Sequence, residues 1–228
     1  MSDHNWKKEL KEAWIDVWTH FKLNIKERGL IVLGIYLAFV AITWPLIFPN
    51  DRKWIDIIRA DGGETYKWLE DFLAVAGDFF WFNVVWAVVF VLWAVFRKRR
   101  NWYRIALVFL LGGLLSGITS RVVKMTAGRA RPSMTDKSEL TYRSFIGPNK
   151  KAKTHGYPSG HAAGSMGSAA AIMMYAPKAG WPSLVFATAV TFSRMYGNHH
   201  FPMDSTHGAA MGIAAGYLAA RRKKRQTA

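Results

Sequence analysis

The sequence predicts an all-α, polytopic membrane protein: a bundle of six transmembrane helices preceded by an N-terminal amphipathic helix in the membrane interface. Three observations carry this expectation. The 228 residues are 51% hydrophobic and include 11 Trp, yet the formal net charge is +16. The apolar residues come in long uninterrupted blocks, and the Lys and Arg cluster in short runs at the block ends, a pattern of membrane spans rather than of a nucleic-acid surface. Without Cys, neither disulfides nor thiolate metal sites are available.

Residues 1–29 place Trp6, Leu10, Trp14, Val17, Trp18, Phe21 and Ile25 at three- and four-residue intervals with Lys and Glu between them. This spacing predicts an amphipathic helix lying in the interface, or packed on the ends of the spans. The segment lacks the apolar stretch of a cleavable signal peptide. Crossing a hydrocarbon core about 30 Å thick takes roughly 20 apolar residues of helix. Leu30–Phe48 meets this without a charge, and Phe72–Phe96 meets it with Asp78 and Asn83 as its strongly polar members, read as satisfying neighbouring helices. Ile105 to about Val123 is the third span. His161–Ala176, Trp181–Tyr196 and Asp204–Ala220 are rich in Ala, Gly and Ser, which suits close helix packing inside a membrane bundle.

The expected organisation is therefore an amphipathic segment (1–29), a six-helix domain (30–220) and a basic tail (221–228). The N-terminal lysines, the run Arg97–Arg104 and the run Arg221–Arg225 then fall on one side. That makes both termini cytoplasmic in a cytoplasmic (inner) membrane. The loop from Lys124 to Tyr157 breaks the rule, with eight Lys or Arg against Asp136 and Glu139 on the outer side. An exception of that size points to a function.

Three polar clusters lie at the predicted outer ends of the spans: KMTAGRARP (Lys124–Pro132), PSGH (Pro158–His161) and SRMYGNHHFPMD (Ser193–Asp204). Topology brings them to one side of the membrane. Lys124, Arg131 and Arg194 would then be three cations around one cavity, tolerated where an anion of matching charge binds. Phosphate fits: Arg offers a bidentate fork, Lys a point charge, and the Ser159–Gly160–His161 turn opens a helix whose N-terminus presents N–H groups. Two histidines add chemistry to binding. His200 is the better nucleophile, because Asp204 four residues later can hydrogen-bond Nδ1 and aim Nε2 at phosphorus; His161 is then the general acid.

Lys, six residues, Arg-Pro; then Pro-Ser-Gly-His; then Ser-Arg, five residues, His, three residues, Asp is similar to the three-part signature of the type 2 phosphatidic acid phosphatase superfamily, over about the C-terminal half. The resemblance implies a membrane phosphatase with a phosphohistidine on His200, His161 as acid, Asp204 supporting His200, and Lys124, Arg131, Ser159, Gly160 and Arg194 holding phosphate. It implies no metal and no cofactor. The vanadium-dependent haloperoxidases of the same family are soluble, which the spans here argue against. Met203 departs from the small hydroxyl residue often found before the Asp, and His199 beside His200 is set aside by the five-residue spacing from Arg194.

For His155, His199 and His207 the expectation is a solvated or headgroup-facing position. The partners expected are a lipid phosphate and the bilayer, with no nucleic acid and no obligate protein. Candidate substrates by resemblance are undecaprenyl diphosphate, phosphatidylglycerophosphate, phosphatidic acid and lipid A 1-phosphate. A lipid phosphotransferase using the same phosphohistidine, and a catalytically silent lipid-binding protein, are the alternatives.

Overall fold

A computed structural model of the chain describes residues 5–135, 140–149 and 154–220. The basic tail and the loop acids Asp136 and Glu139 lie outside the described residues. The described chain is helical, and its one β-type pairing is an isolated bridge between Arg129 and Phe145.

The first helix, α1, runs unbroken over Trp6–Ile47, its start capped by Asn5, whose side chain accepts from the Lys8 N–H at 3.1 Å. The amphipathic segment and the first apolar span are therefore one helix, with no break between residues 29 and 30. The physical reason is local: no Pro lies between Trp6 and Trp44, and Gly29 and Gly34 are tolerated within a long helical pattern. The N-terminal half buries Ala13 against Ala94 and Tyr103, and Val17 against Val108 and Ala219. Ion pairs from Glu12 to Arg100 (2.7 Å) and from Asp16 to Arg104 (2.8 Å) flank these contacts. That half packs on the ends of neighbouring helices while Trp6, Trp14 and Trp18 remain exposed.

After a 3-10 turn at Phe48–Asn50 comes α2 (Asp51–Ile58), a short helix whose buried face carries Asp51 and Ile55. The second expected span is broken. It consists of α3 (Lys67–Ala76), a π-helical segment at Phe79–Val85 and α4 (Trp86–Arg97). The break falls at Gly77, where a Cβ would overlap Val190 of a later helix, so close helix approach and the missing side chain coincide. Helix α5 (Arg100–Ala127) follows, then the single turn α6 (Pro132–Thr135).

The centre of the bundle is α7 (Gly160–Tyr175), flanked by α5, α8 (Pro177–Tyr196) and α9 (Pro202–Ala220). Its small residues let backbones touch. A Cβ on Gly112 of α5 would come 2.5 Å from the Gly167 carbonyl oxygen, and one on Gly212 of α9 would come 2.5 Å from that of Ala163. This is packing by dispersion and close backbone approach, the kind available where lipid removes most of the hydrophobic driving force between helices. Asn83 is fully buried and accepts from the Ser168 hydroxyl, which also lies 2.7 Å from the Phe109 carbonyl oxygen, so this polar residue does join neighbouring helices.

Among the described residues, two stretches are long and apolar enough to cross a membrane, Trp6–Ile58 and Arg100–Ala127, and the bent α3–α4 pair makes a third if it is one span. The outward face of α1 exposes Leu30, Ile31, Ile35, Ile42 and Leu46, a surface suited to hydrocarbon. The small-residue helices α7 and α9 owe their burial to protein on most sides.

Candidate active site

The three signature clusters meet at one end of the bundle. Lys124 is buried on the last turn of α5, which ends at Gly128 with φ +62 and a hydrogen bond from its N–H to the Lys124 carbonyl (3.2 Å). A side chain at 128 would strike the Gly147 carbonyl, so glycine is required both by its left-handed backbone and by space. The chain then stitches itself to the loop that precedes α7: Ala130 N–H donates to Ser144 and Gly156 N–H to Arg129. Arg131 follows directly.

Ser159 caps α7, its hydroxyl accepting from the Ala162 N–H at 3.4 Å, and its own N–H donates to the Asp204 carbonyl at 2.9 Å. That second bond ties the PSGH turn to the start of α9. A Cβ on Gly160 would come 3.2 Å from the Lys124 ammonium, so the first and second clusters are in contact. His161, on the next position, lines a cavity of 430 Å³ with Lys124, Gly160, Asp78, Leu114 and Ile118.

The third cluster folds back at the end of α8. The His199 and His200 N–H groups both donate to the Arg194 carbonyl at 3.1 Å, a tight reversal in which Asn198 adopts φ +59. His200 is buried, and its Nδ1 lies 2.7 Å from the Gly156 carbonyl oxygen. A carbonyl can only accept, so Nδ1 carries the proton and Nε2 keeps the lone pair. The expected Asp204–Nδ1 hydrogen bond is absent: Asp204 Oδ2 stands 3.9 Å away and accepts instead from the Phe201 N–H at 2.9 Å. Its other oxygen is 2.5 Å from Arg129 Nη1, and Arg129 Nη2 reaches Asp51 at 2.6 Å. A fully buried guanidinium draws the carboxylate away from the weaker imidazole donor.

Burial and the positive charges of Lys124, Arg131 and Arg194 hold the His200 imidazole well below its usual range, which keeps it neutral. The same cations leave donors idle: Arg131 Nε and Arg194 Nε are buried with no acceptor among the described residues. Unpaired buried donors are costly, and an anion between them removes that cost. Arg194 also meets Glu70 of α3 at 3.1 Å.

Two histidines expected at the surface are buried. His207 accepts or donates at both nitrogens, to Tyr157 Oη at 2.9 Å and Thr43 Oγ1 at 2.8 Å, and so ties α1 and the PSGH approach to α9. His155 bonds the Asn149 carbonyl at 3.0 Å. His199 is part-exposed, 3.5 Å from Glu70, and is held down to about 4 by burial and by the charges of Arg194 and Arg131. Arg129, Asp51 and Glu70 were not singled out by the sequence. Arg129 sits inside the first cluster, but its two carboxylate partners are 78 and 75 residues away along the chain.

The fold and the site together define a helical membrane protein in which a buried histidine lies among three cations at one end of the bundle. The chain belongs to the PAP2 superfamily, whose family model matches residues 105–228. It is similar to an undecaprenyl-diphosphatase of Sulfolobus acidocaldarius, 25% identical over 193 residues, covering 82% of this chain and 84% of that protein. It is also similar to undecaprenyl-diphosphatase BcrC of Bacillus subtilis, 32% identical over 62 residues, 27% of this chain and 32% of that relative's length. Among solved structures it resembles a transmembrane PAP2-type phosphatidylglycerolphosphate phosphatase from Bacillus subtilis at 20% identity and TM-score 0.49, covering 84% of this chain and 94% of that one.

Proposed function

We propose that this protein is an integral membrane lipid phosphate phosphatase acting through a phosphohistidine on His200. The observation that supports it best is the pairing of a neutral, buried His200 with idle donors on Arg131 and Arg194. In the first step the Nε2 lone pair of His200 forms a bond to phosphorus, the bond to the leaving oxygen breaks, and His161 supplies the proton that oxygen takes. In the second, water attacks the phosphohistidine, His161 recovers a proton from it, and inorganic phosphate leaves.

Lys124, Arg131 and Arg194 offset the charge on the equatorial oxygens, with the Ser159–Gly160 turn at the α7 N-terminus beside them. Asp204 acts through Arg129 and the Phe201 N–H by holding the reversal that presents His200. The reading places six helices across a cytoplasmic membrane, both termini inside and the site at the outer face. Its substrate enters sideways with the tail in lipid. Both similar curated proteins are undecaprenyl-diphosphatases, which favours a polyprenyl diphosphate within the wider set of lipid phosphates.

The test is a panel of lipid phosphates assayed for phosphate release by the purified chain in nanodiscs, with and without chelator. Release from at least one lipid by the wild type, unaffected by EDTA and lost in His200→Ala, is expected. Release that needs a second lipid as acceptor would show a transferase, and no release from any lipid would leave a binding protein.

A further inference from the structure

One charged side chain beside the candidate site has had no role in it so far. Arg121 lies on α5 three residues before Lys124, and it makes no hydrogen bond or ion pair among the described residues. It is exposed on α5, which is long and apolar enough to cross a membrane. An intramembrane cation is costly and ordinarily faces a partner or a polar cavity. Arg121 faces the 430 Å³ cavity that also holds Lys124, Gly160 and His161. It is near enough to Lys124 for the two positive charges to act on each other.

The cavity has an order along α5. Leu114, Gly117 and Ile118, then Arg121, then Lys124 follow one stripe of the helix at intervals of three and four. At about 1.5 Å per residue the stripe is roughly 15 Å long, apolar at one end and cationic at the other, with about 4.5 Å of rise between the two charges. A polyprenyl diphosphate has the same order: chain, ester-linked phosphate, terminal phosphate. With the terminal phosphoryl group at Lys124 and His200, the inner phosphate is one bridging oxygen nearer the apolar end, beside Arg121. A monophosphate with its phosphorus at the same place offers Arg121 only an ester oxygen and carbon.

We infer that Arg121 is a specificity residue that binds the inner phosphate of a lipid diphosphate and stabilises it as the leaving group. This rests on the phosphatase reading above. Attack by His200 on the terminal phosphorus breaks its bond to the bridging oxygen, and the departing lipid monophosphate gains negative charge at that oxygen and its neighbours. A guanidinium there matches that charge with a two-pronged donor, whereas the departing alkoxide of a monoester takes its proton from His161 and has no use for it.

The experiment compares wild type, Arg121→Ala and Arg121→Lys, purified at full length, on undecaprenyl diphosphate, undecaprenyl monophosphate and phosphatidic acid. The ratio of kcat/KM for diphosphate to that for monophosphate is expected to fall by roughly tenfold or more in Arg121→Ala, the size of one lost charge-assisted contact, and to recover in part with Lys. Inorganic diphosphate should inhibit wild type better than inorganic phosphate, and Arg121→Ala should narrow that difference. An unchanged ratio overturns the inference, whether both rates fall together or neither does. So does a loss confined to phospholipid nanodiscs and absent in phospholipid-free detergent, which would make Arg121 a headgroup contact. Should the Ala variant not fold, Arg121→Gln gives the same reading. A wild type inactive on every lipid would instead defeat the phosphatase reading itself.

Discussion

Asp204 Oδ1 lies 2.5 Å from Arg129 Nη1, in a pair with both side chains fully buried, while its other oxygen is 3.9 Å from His200 Nδ1. Asp51 closes the group at 2.6 Å from Arg129, and its own Oδ1 accepts from the Met203 N–H at 2.9 Å. One guanidinium therefore joins α2, the first signature cluster and the start of α9. Phe48, Phe145 and Phe201 surround it, with the Phe201 ring 4.6 Å from its central carbon. In this setting the carboxylate sets the shape of the loop carrying His200, and the Gly156 carbonyl sets its tautomer.

Arg129→Ala is expected to destabilise the fold by about 3–5 kcal/mol, because it strands two buried carboxylates. Denaturation of the purified protein in detergent reads this directly. Replacing the group as a whole (Asp51→Leu, Arg129→Met, Asp204→Leu) should recover much of the stability without restoring phosphate release. A wild-type melting point for Arg129→Ala would show that the triad is not what holds this end together.

His161→Ala should slow lipid monophosphates, whose leaving alkoxide needs a proton, by about 10²–10⁴-fold. An activated aryl phosphate, whose leaving group departs unprotonated, should suffer far less. Equal losses on the two substrates would remove His161 from the acid role.

Gly160→Ala should keep the fold and lose turnover. The added Cβ would stand 3.2 Å from the Lys124 ammonium, the far end of a flexible chain that can move. Displacing that charge from the phosphate position is expected to cost about tenfold in kcat/KM, with an unchanged melting temperature. Full activity in this variant would separate Lys124 from the phosphate.

Acidification should destabilise the protein through the histidines buried beside its cations. His199 titrates at about 4 when folded against an ordinary 6.5, and His200 is lowered as well. Below about 6.5 the unfolded chain takes up protons that the folded chain refuses, so stability falls with pH through the window from about 6.5 to about 4. The sign is that of a depressed group: its contribution is intact above 6.5 and lost below. Melting temperature against pH should show this slope, and His199→Gln should flatten part of it. On acidification the free enzyme's kcat/KM should show no loss in the ordinary histidine range, because His200 stays neutral there; an acid-side fall centred near 6.5 that persists in His199→Gln would contradict that reading.

The helical character and the three clusters were legible in the sequence because they are carried by short-range patterns: apolar runs, small-residue helices, and turn residues such as Ser159 and Gly160 at a helix start. Long-range pairings were not. Asp204 four residues after His200 reads as its hydrogen-bond partner, since that spacing puts both on one helix face. The chain instead begins α9 at Pro202, leaving His200 in the loop before it. The break at Gly77 was hidden for a similar reason: the residue needs no side chain only because Val190 arrives there from α8.

The sequence by itself determined an apolar, helical chain and the residues gathered at one end of it: three cations, two histidines and a carboxylate in the order and spacing of the PAP2 superfamily, whose family model matches residues 105–228. Those are properties of composition and local spacing, and they survive any arrangement of the helices. Only the tertiary structure decided the partners. Asp204 bonds Arg129, His200 bonds Gly156, and His207 lies buried between Tyr157 and Thr43. A buried polar group takes whichever donor or acceptor the packing brings within about 3 Å, and packing joins residues that the chain keeps far apart.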